Sequence, residues 1–380
     1  MPITSKLPNI QTTIFTVMSQ LAAEHKALNL SQGFPDFNAP SDLLERVSKH
    51  MQAGHNQYAP MMGVAVLREA IASKVASLYH TSINSDTEVT VTSGATDALF
   101  TAITTVVQQG DEVIVFDPAY DAYEPAIELA GGKAVHIPLQ AHDFSINWQQ
   151  VKDALSPKTK AIILNSPHNP SGAVLSGDDI QALRNIVADY DVLLISDEVY
   201  EHIIYQAPHC SILRYPDLLA RAFVISSFGK TYHVTGWKVA YCIAPPVLTA
   251  EFRKVHQYIS FCTVTPMQYA LAEFMQQSNH HLELAGFYQA KRDRFVQGLA
   301  NSRFKVLPCA GTYFQLLDYS GISDLEDVVF ARQLTQEQGI ASIPISVFYQ
   351  KPPAEQCILR FCFAKNDETL DQATALLTAI

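Results

Sequence analysis

The chain has 380 residues, 48% of them hydrophobic, and a formal net charge of -11. That size and apolar content provide a large buried core and about two domains, and they exclude a disordered chain. The acidic balance, with no basic run to offset it, excludes a nucleic-acid surface, and no segment reaches the ~18 apolar residues of a membrane span.

The first forty or so residues read as irregular. From residue 63 helix and strand alternate. Residues 63–79 predict an amphipathic helix with Val66, Leu67, Ala70, Ile71, Val75 and Leu78 on one side. A strand at 88–92, a helix at 95–107, a strand at 112–116, a helix at about 122–129 and a strand at 134–137 follow. Nearly all-apolar runs at 160–164, 192–196 and 222–226 fit strands covered on both faces. The pattern predicts an α/β domain with a mainly parallel sheet.

Beyond Pro246, helical periodicity runs through about 248–276, and an amphipathic helix of mixed charge covers about 280–299. Short strands at 303–306, 313–317 and 359–363 then mix with helices near 325–336 and 368–378. This α+β tail is expected to form a smaller domain. The expected division is an arm over 1–42 that joins the small domain, a large domain over 43–278 and a small domain over 279–380. The start, Met1-Pro2-Ile3-Thr4-Ser5-Lys6, lacks an apolar signal core, so the cytoplasm is the expected compartment. The six cysteines (Cys210, Cys242, Cys262, Cys309, Cys357, Cys362) include no Cys-x-x-Cys pair, so neither zinc nor a disulfide framework is expected.

Ligands of open α/β sheets bind beyond the carboxyl ends of the strands. Lys230 follows the 222–226 run, in Ser226-Ser227-Phe228-Gly229-Lys230. Burial there would disfavour its ammonium form and ready the amine to attack a carbonyl. After 88–92, the run Thr92-Ser93-Gly94-Ala95-Thr96-Asp97 opens a helix. Its glycine and the free N–H groups of Ala95 and Thr96 suit a phosphate, unless Ser93 or Thr96 is a plain cap. After 160–164, two prolines in Asn165-Ser166-Pro167-His168-Asn169-Pro170 hold Asn169 toward a site, or make it a turn former. His168 receives no role.

Asp197 ends the 192–196 strand, with Tyr200 three residues on. A buried carboxylate there requires an arginine or a ligand cation such as a protonated pyridine nitrogen, unless it caps a helix. Lys238 adds a second cation that would depress Lys230 or hold a phosphate. Tyr120 and Tyr123, after 112–116, offer rings on which a flat heteroaromatic ligand would stack. Arg360, alone in the apolar Ile358-Leu359-Arg360-Phe361, calls for a buried anion. Five strand ends thus carry what one phosphorylated aromatic aldehyde would need.

The stretches NLSQGFPDF (29–37), NQYAP (56–60), SGATDA (93–98), NSPHNPSG (165–172), SDEVYEH (196–202), SSFGKTYHVTGWKVAY (226–241) and LRFCFAK (359–365) span nearly the whole chain. It resembles the fold-type I pyridoxal-phosphate aminotransferases of class I/II. Within them it looks closest to the bacterial methionine aminotransferases and the kynurenine/glutamine aminotransferases. The resemblance implies that Lys230 bonds to the cofactor aldehyde, Asp197 pairs with the ring nitrogen, Tyr200 and Asn169 contact the ring hydroxyl and Tyr120 stacks on the ring. It implies a phosphate held by Gly94, Ala95, Thr96, Ser227 and Lys238, with Tyr58 reaching it from the other subunit of a homodimer. Arg360 would clamp the substrate α-carboxylate with Asn169 assisting, and Gly33, Phe34 and Phe261 would border the substrate. No metal is implied.

Aspartate aminotransferases usually carry arginine where Lys238 stands, which bears on the phosphate geometry. They also use a partner-subunit arginine for a side-chain carboxylate, and residues 256–262 here hold none. The expected reaction is therefore transfer of the amino group of a neutral amino acid to a 2-oxo acid, with methionine favoured and aromatic amino acids and glutamine also fitting. A β-lyase acting on cysteine S-conjugates shares these residues. A pyridoxal-binding regulator should carry a fused helix-turn-helix domain, and here the first motif stands within about thirty residues of the start. A nicotinamide oxidoreductase would want G-x-G-x-x-G, which SGATDA is not.

Overall fold

A computed structural model describes residues 3–354 and 356–380, so Met1 and Pro2 of the expected arm lie outside the described residues. In chain order the elements begin with α1 (Ile14–His25), β1 (Leu28–Asn29), α2 (Ser41–Gln52) and α3 (Ala65–Tyr79). They continue with β2 (Val89–Thr92), α4 (Ala95–Val106), β3 (Glu112–Asp117), α5 (Tyr123–Leu129), β4 (Lys133–Pro138), α6 (Trp148–Ala154), β5 (Thr159–Asn165) and α7 (Gly177–Asp189). Next come β6 (Leu193–Asp197), α8 (Pro216–Leu219), β7 (Ala222–Ser227), α9 (Phe228–Thr231), β8 (Ala240–Ile243), α10 (Pro246–Ile259), α11 (Thr265–Gln277) and α12 (His280–Gly298). The chain ends with β9 (Lys305–Val306), β10 (Phe314–Asp318), α13 (Asp327–Glu337), β11 (Ile340–Ala341), β12 (Ile343–Pro344), β13 (Ile358–Cys362) and α14 (Asp367–Thr378).

Seven strands form the central sheet in the order β2-β8-β7-β6-β5-β3-β4, and only β8 runs against its neighbours. Strand alternation divides its apolar residues between two core layers. Val113 and Val115 of β3 pack with Ile163, Ile195, Phe223 and the α4 residues Ala98, Leu99 and Ile103. Ile114, Ile162, Leu164, Leu194 and Val224 face the other way, toward Leu67 and Ile71 of α3 and Ile180 and Leu183 of α7. Both faces are covered, which is why these strands read as unbroken apolar runs. The register sets Asn165 opposite Asp197 and Asp197 opposite Ile225, so the polar strand ends stand side by side.

The C-terminal part forms a four-stranded sheet, β12-β13-β10-β9, antiparallel throughout. β1 pairs in parallel with β11, placing Leu28 beside Ile340, and α1 packs against α13.

Three expectations are corrected. The N-terminal forty residues are not irregular: Thr13 caps α1 by accepting from the Thr16 N–H, and Lys26 ends it in a left-handed conformation. Only Met18 and Ala22 of that helix are buried, a stripe too narrow to read as a helical period. The periodicity over 248–276 is two helices, not one. The break falls after Ile259, where Phe261 has φ +62, and Pro266 in the first turn of α11 begins the second helix. Val66 is 40% exposed and does not share the core face of α3.

Replacing Ile71, fully buried on α3, by Ala should lower unfolding stability by about 2–5 kcal/mol. Val66→Ala on the same helix should change it by less than about 0.5 kcal/mol. Denaturant titration of both variants measures the contrast.

Candidate active site

Residues that follow β2, β3, β5, β6 and β7 line one cavity of about 220 Å3. It contains Gly33, Gly94, Ala95, Thr96, Tyr120, Asn169, Asp197, Tyr200, Ser227, Lys230, Lys238 and Arg360. Crossovers in a parallel sheet return each strand in the same direction, so residues scattered along the chain emerge at one edge.

Gly94 has φ +91, and a Cβ there would lie 3.0 Å from Lys238 Cε and 3.2 Å from its Nζ. Only glycine lets the backbone turn into α4 beside that ammonium. The free N–H groups of Ala95 and Thr96 at the helix start then share a cradle with the lysine cation. Thr96 Oγ1 is 3.4 Å from the Tyr120 hydroxyl, which sets the tyrosine beside the same cradle.

Lys230 sits in α9, the single turn after β7. Its Nζ donates to the Tyr313 hydroxyl at 2.9 Å and the Gly33 carbonyl at 3.2 Å. Burial pushes its pKa down to about 8. The charges of Arg360 and Lys238 act in the same direction, while Cys362 and Asp197 oppose.

Asp197 is buried at the end of β6, and among the described residues no cation pairs with its carboxylate. Its Oδ2 accepts from the Tyr123 hydroxyl at 2.7 Å and its Oδ1 from the Val199 N–H at 3.3 Å. Burial raises its pKa to about 6 against those bonds. A chain of amides links it to the far wall. Asn165 donates to the Asp197 carbonyl at 3.0 Å and accepts from the Asn169 N–H at 2.8 Å. Asn169 Oδ1 in turn accepts from Arg360 Nη1 at 2.8 Å.

Arg360 is 1% exposed. Its Nη2 donates to the Ser31 carbonyl at 2.9 Å and its guanidinium lies 4.0 Å from the Phe314 ring centre. Its Nε–H is buried without a partner among the described residues. Such an orphan donor on a buried cation marks a place for an acidic ligand group. Tyr200 is buried edge-on to Tyr313, with ring centres 5.2 Å apart, and burial drives its phenol up.

His168, which received no role, is structural. Its Nε2 donates to the Pro118 carbonyl at 3.0 Å, and its Nδ1 takes a bond from Ser171 at 2.7 Å. Burial pushes its pKa down to about 4, so it stays neutral.

Three expected residues are not brought into the cavity within one chain. Tyr58 is 86% exposed and Phe261 45% exposed, their rings 5.7 Å apart on the surface. Phe34 is 44% exposed and contacts Lys365, whose Nζ lies 4.9 Å from its ring centre. Sequence reasoning missed Phe15, Gln32, Asn165 and Phe314 in the lining and the hydroxyls of Tyr123 and Tyr313 behind it. Asn165 opens the Asn-Pro motif and Tyr123 closes the Asp117–Tyr123 run, so both carried a local signal. Tyr313 and Phe314 read as ordinary strand residues and carried none. Among the described residues no cluster of His, Cys, Asp or Glu could hold a metal ion, and no helix is long and apolar enough to cross a membrane.

A buried amine that gives up its proton readily, facing a cation fork across one cavity, is the outline of amino-group transfer. The chain belongs to the family of class I and II aminotransferases, whose profile matches residues 25–377, and it is an aminotransferase. It is 53% identical to the methionine aminotransferase of Escherichia coli over 96% of this chain and 95% of that protein. It is 34% identical to human kynurenine–oxoglutarate transaminase 3 over 98% of this chain and 89% of that one. Its structure matches that of YbdL from E. coli, described as having a methionine aminotransferase function, with a TM-score of 0.98, 51% identity and full coverage of both chains.

Enzymes of this family depend on pyridoxal 5'-phosphate. The residues present fit that group: a cradle that a Cβ would close at Gly94, a carboxylate without a counter-ion at Asp197 and an amine without its charge partner at Lys230.

Asp197 must be ionised to oppose a ring cation, so cofactor affinity should fall as pH drops through about 6. Tyr123→Phe deletes a bond that lowers that value and should move the fall upward by about half to one pH unit. Titrating cofactor into cofactor-free protein at a series of pH values measures the midpoint.

Proposed function

We propose that the protein transfers the amino group of methionine to a 2-oxo acid through pyridoxal phosphate held on Lys230, and accepts aromatic amino acids and glutamine as further donors. The observation that carries this reading is the shared cavity of Lys230, poised near neutrality, and the Arg360–Asn169 pair. The likeness to a methionine aminotransferase over nearly the full length supports the donor. So does the inventory of charge. The lining cations are Lys230, Lys238 and Arg360, and each has a task, which leaves none for a second substrate carboxylate. Phe15 and Phe314 supply apolar wall instead. Kynurenine is a second donor, favoured by the more distant human relative, and cysteine S-conjugates could undergo β-elimination with the same residues.

When bound, the cofactor ring supplies an electron sink for the substrate α-carbon. Asp197 would keep the ring nitrogen cationic, Tyr200 and Asn169 would serve the ring hydroxyl, and Tyr120 would offer a face for the ring. Gly94, Ala95, Thr96, Ser227 and Lys238 would hold the phosphate. Arg360 binds the substrate carboxylate as a fork and fixes the α-carbon in front of Lys230. With the substrate fixed there, the Lys230 amine would take the α-proton as base and hold it for return as acid. A value near 8 lets one group act as base and then as acid.

Exposure of the Tyr58–Phe261 pair supports a homodimer in which Tyr58 reaches the partner's phosphate and Phe261 borders its substrate. Phe34 and Gly33 would stand at the mouth of the same pocket. The β1–β11 pairing supports a working division into an arm over 1–42, a large domain over 43–278 and a small domain over 279–380. The cytoplasm is the proposed compartment.

Purified protein given pyridoxal phosphate should show the visible band of a lysine-bound cofactor, and methionine should bleach it. A colourless protein would remove the reading. Lys230→Ala should lose the band and at least about 10²–10⁴-fold in turnover. Arg360→Ala should raise the Michaelis constant for every amino acid, and steady-state kinetics across donor classes would expose an effect confined to one class. Arg360→Lys should not restore binding, because an ammonium offers no fork.

A further inference from the structure

We propose that Tyr313 is a positioning residue of this reaction: its hydroxyl, fixed on the Gly33 carbonyl, takes one N–H of the Lys230 amine and turns the lone pair of the freed lysine toward the cavity. The proposal rests on the transamination reading above.

The argument is a count of donors and acceptors. The Tyr313 hydroxyl lies 2.5 Å from the Gly33 carbonyl and 2.9 Å from Lys230 Nζ. A carbonyl only accepts, so the single phenolic proton goes to Gly33. The phenol can then only accept from Lys230. The second Lys230 N–H goes to the same Gly33 carbonyl at 3.2 Å. A neutral amine has two N–H bonds and one lone pair. Both N–H bonds are thus engaged by neutral acceptors, and no donor masks the lone pair.

Neither partner has room to drift. Tyr313 is fully buried, with ring centres of Phe314, Tyr200 and Tyr288 at 5.0, 5.2 and 5.5 Å. A Cβ on Gly33 would lie 2.8 Å from Phe314 Cζ and 3.6 Å from Tyr313 Cε2, so the loop carrying the carbonyl is pressed against both residues. The charged and titratable groups that face Lys230 are Asp197 at the end of β6, Tyr200 just after it, Lys238 before β8, and Arg360 and Cys362 on β13. None of them is hydrogen-bonded to Nζ.

Tyr313→Phe keeps the packing and removes the acceptor. Hydrogen bonds to the charged form are the stronger ones, so losing this one destabilises the ammonium more than the amine. In cofactor-free protein the pH midpoint for acylation of Lys230, read by mass spectrometry, should fall by about one unit. In the loaded enzyme kcat with methionine should fall about tenfold with KM unchanged, because positioning and not binding is lost. The kinetic isotope effect of α-deuterated methionine should rise as proton transfer becomes limiting. An unchanged midpoint together with an unchanged isotope effect overturns the proposal. If Tyr313→Phe does not fold, a fluorinated tyrosine placed at 313 keeps the shape and weakens the acceptor. It should move the midpoint in the same direction, and no movement counts against the proposal. The cofactor-free measurement stands apart from the reaction class: a wild-type protein that neither colours with pyridoxal phosphate nor converts methionine defeats the transamination reading, while the midpoint still tests the Tyr313–Lys230 pair.

Discussion

Three buried ionisable groups with no ion-pair partner among the described residues organise this molecule. Lys230, Asp197 and Arg360 stand around one cavity, each held by neutral dipoles: a phenol and a carbonyl, a phenol and an amide, an amide and a carbonyl. Taking a charge out of water without an opposite charge costs several kcal/mol. The chain meets that cost with neutral hydrogen bonds and altered basicity, not with ion pairs. Each group therefore retains an unmet preference: for a carbonyl carbon, for a ring cation, for a carboxylate. One phosphorylated ring and one amino acid, as proposed, would satisfy all three.

The same fold shows how a buried charge looks when it is only structural. Glu201 lies four residues beyond Asp197 and is equally buried. It accepts from Lys74 at 2.6 Å, from Tyr241 at 3.0 Å and from the Tyr79 hydroxyl, and its carboxyl is driven down, below the ordinary range, despite desolvation. Glu198 takes bonds from His209, Ser196 and the Ile212 N–H. Asp197, with no cation bonded to it, moves up to about 6. Between the ordinary value of 3.8 and about 6, the folded chain keeps a proton on Asp197 that the unfolded chain has released. Its contribution to stability therefore falls as pH rises through that window. A cation beside the carboxylate would reverse the shift.

Much of this was legible because the sheet converts chain order into position. Gly94, Tyr120, Asn169, Asp197, Ser227 and Lys230 each follow an apolar run, and a parallel sheet delivers the ends of such runs to one edge. What was not legible lies where position depends on other parts of the chain. Phe15 enters from α1, a helix whose two buried residues leave no period to detect. Phe314 opens a strand of an antiparallel sheet, with Tyr313 just before it, and no local pattern announces where that sheet sits against the large one. Tyr58 and Phe261 drew their roles from the resemblance alone, and within one chain they stand as an exposed aromatic pair.

The N-terminal loop has a larger part than its lack of chemical side chains implies. Its backbone accepts from Arg360 through the Ser31 carbonyl and from both Lys230 and Tyr313 through the Gly33 carbonyl, across separations of up to 329 residues. Two residues of one loop, Ser31 and Gly33, thus fix the fork that would hold a substrate carboxylate and the amine that would take its α-proton. The β1–β11 pair ties this loop to the C-terminal part, while Lys230 sits on the turn that directly follows β7 of the central sheet. Any movement of the C-terminal part relative to that sheet must displace the carbonyl that orients the base together with the carbonyl that steadies the clamp. Under the transamination reading, the carbonyl that steadies the carboxylate clamp and the carbonyl that orients the base belong to one loop, and no side-chain substitution removes those main-chain oxygens.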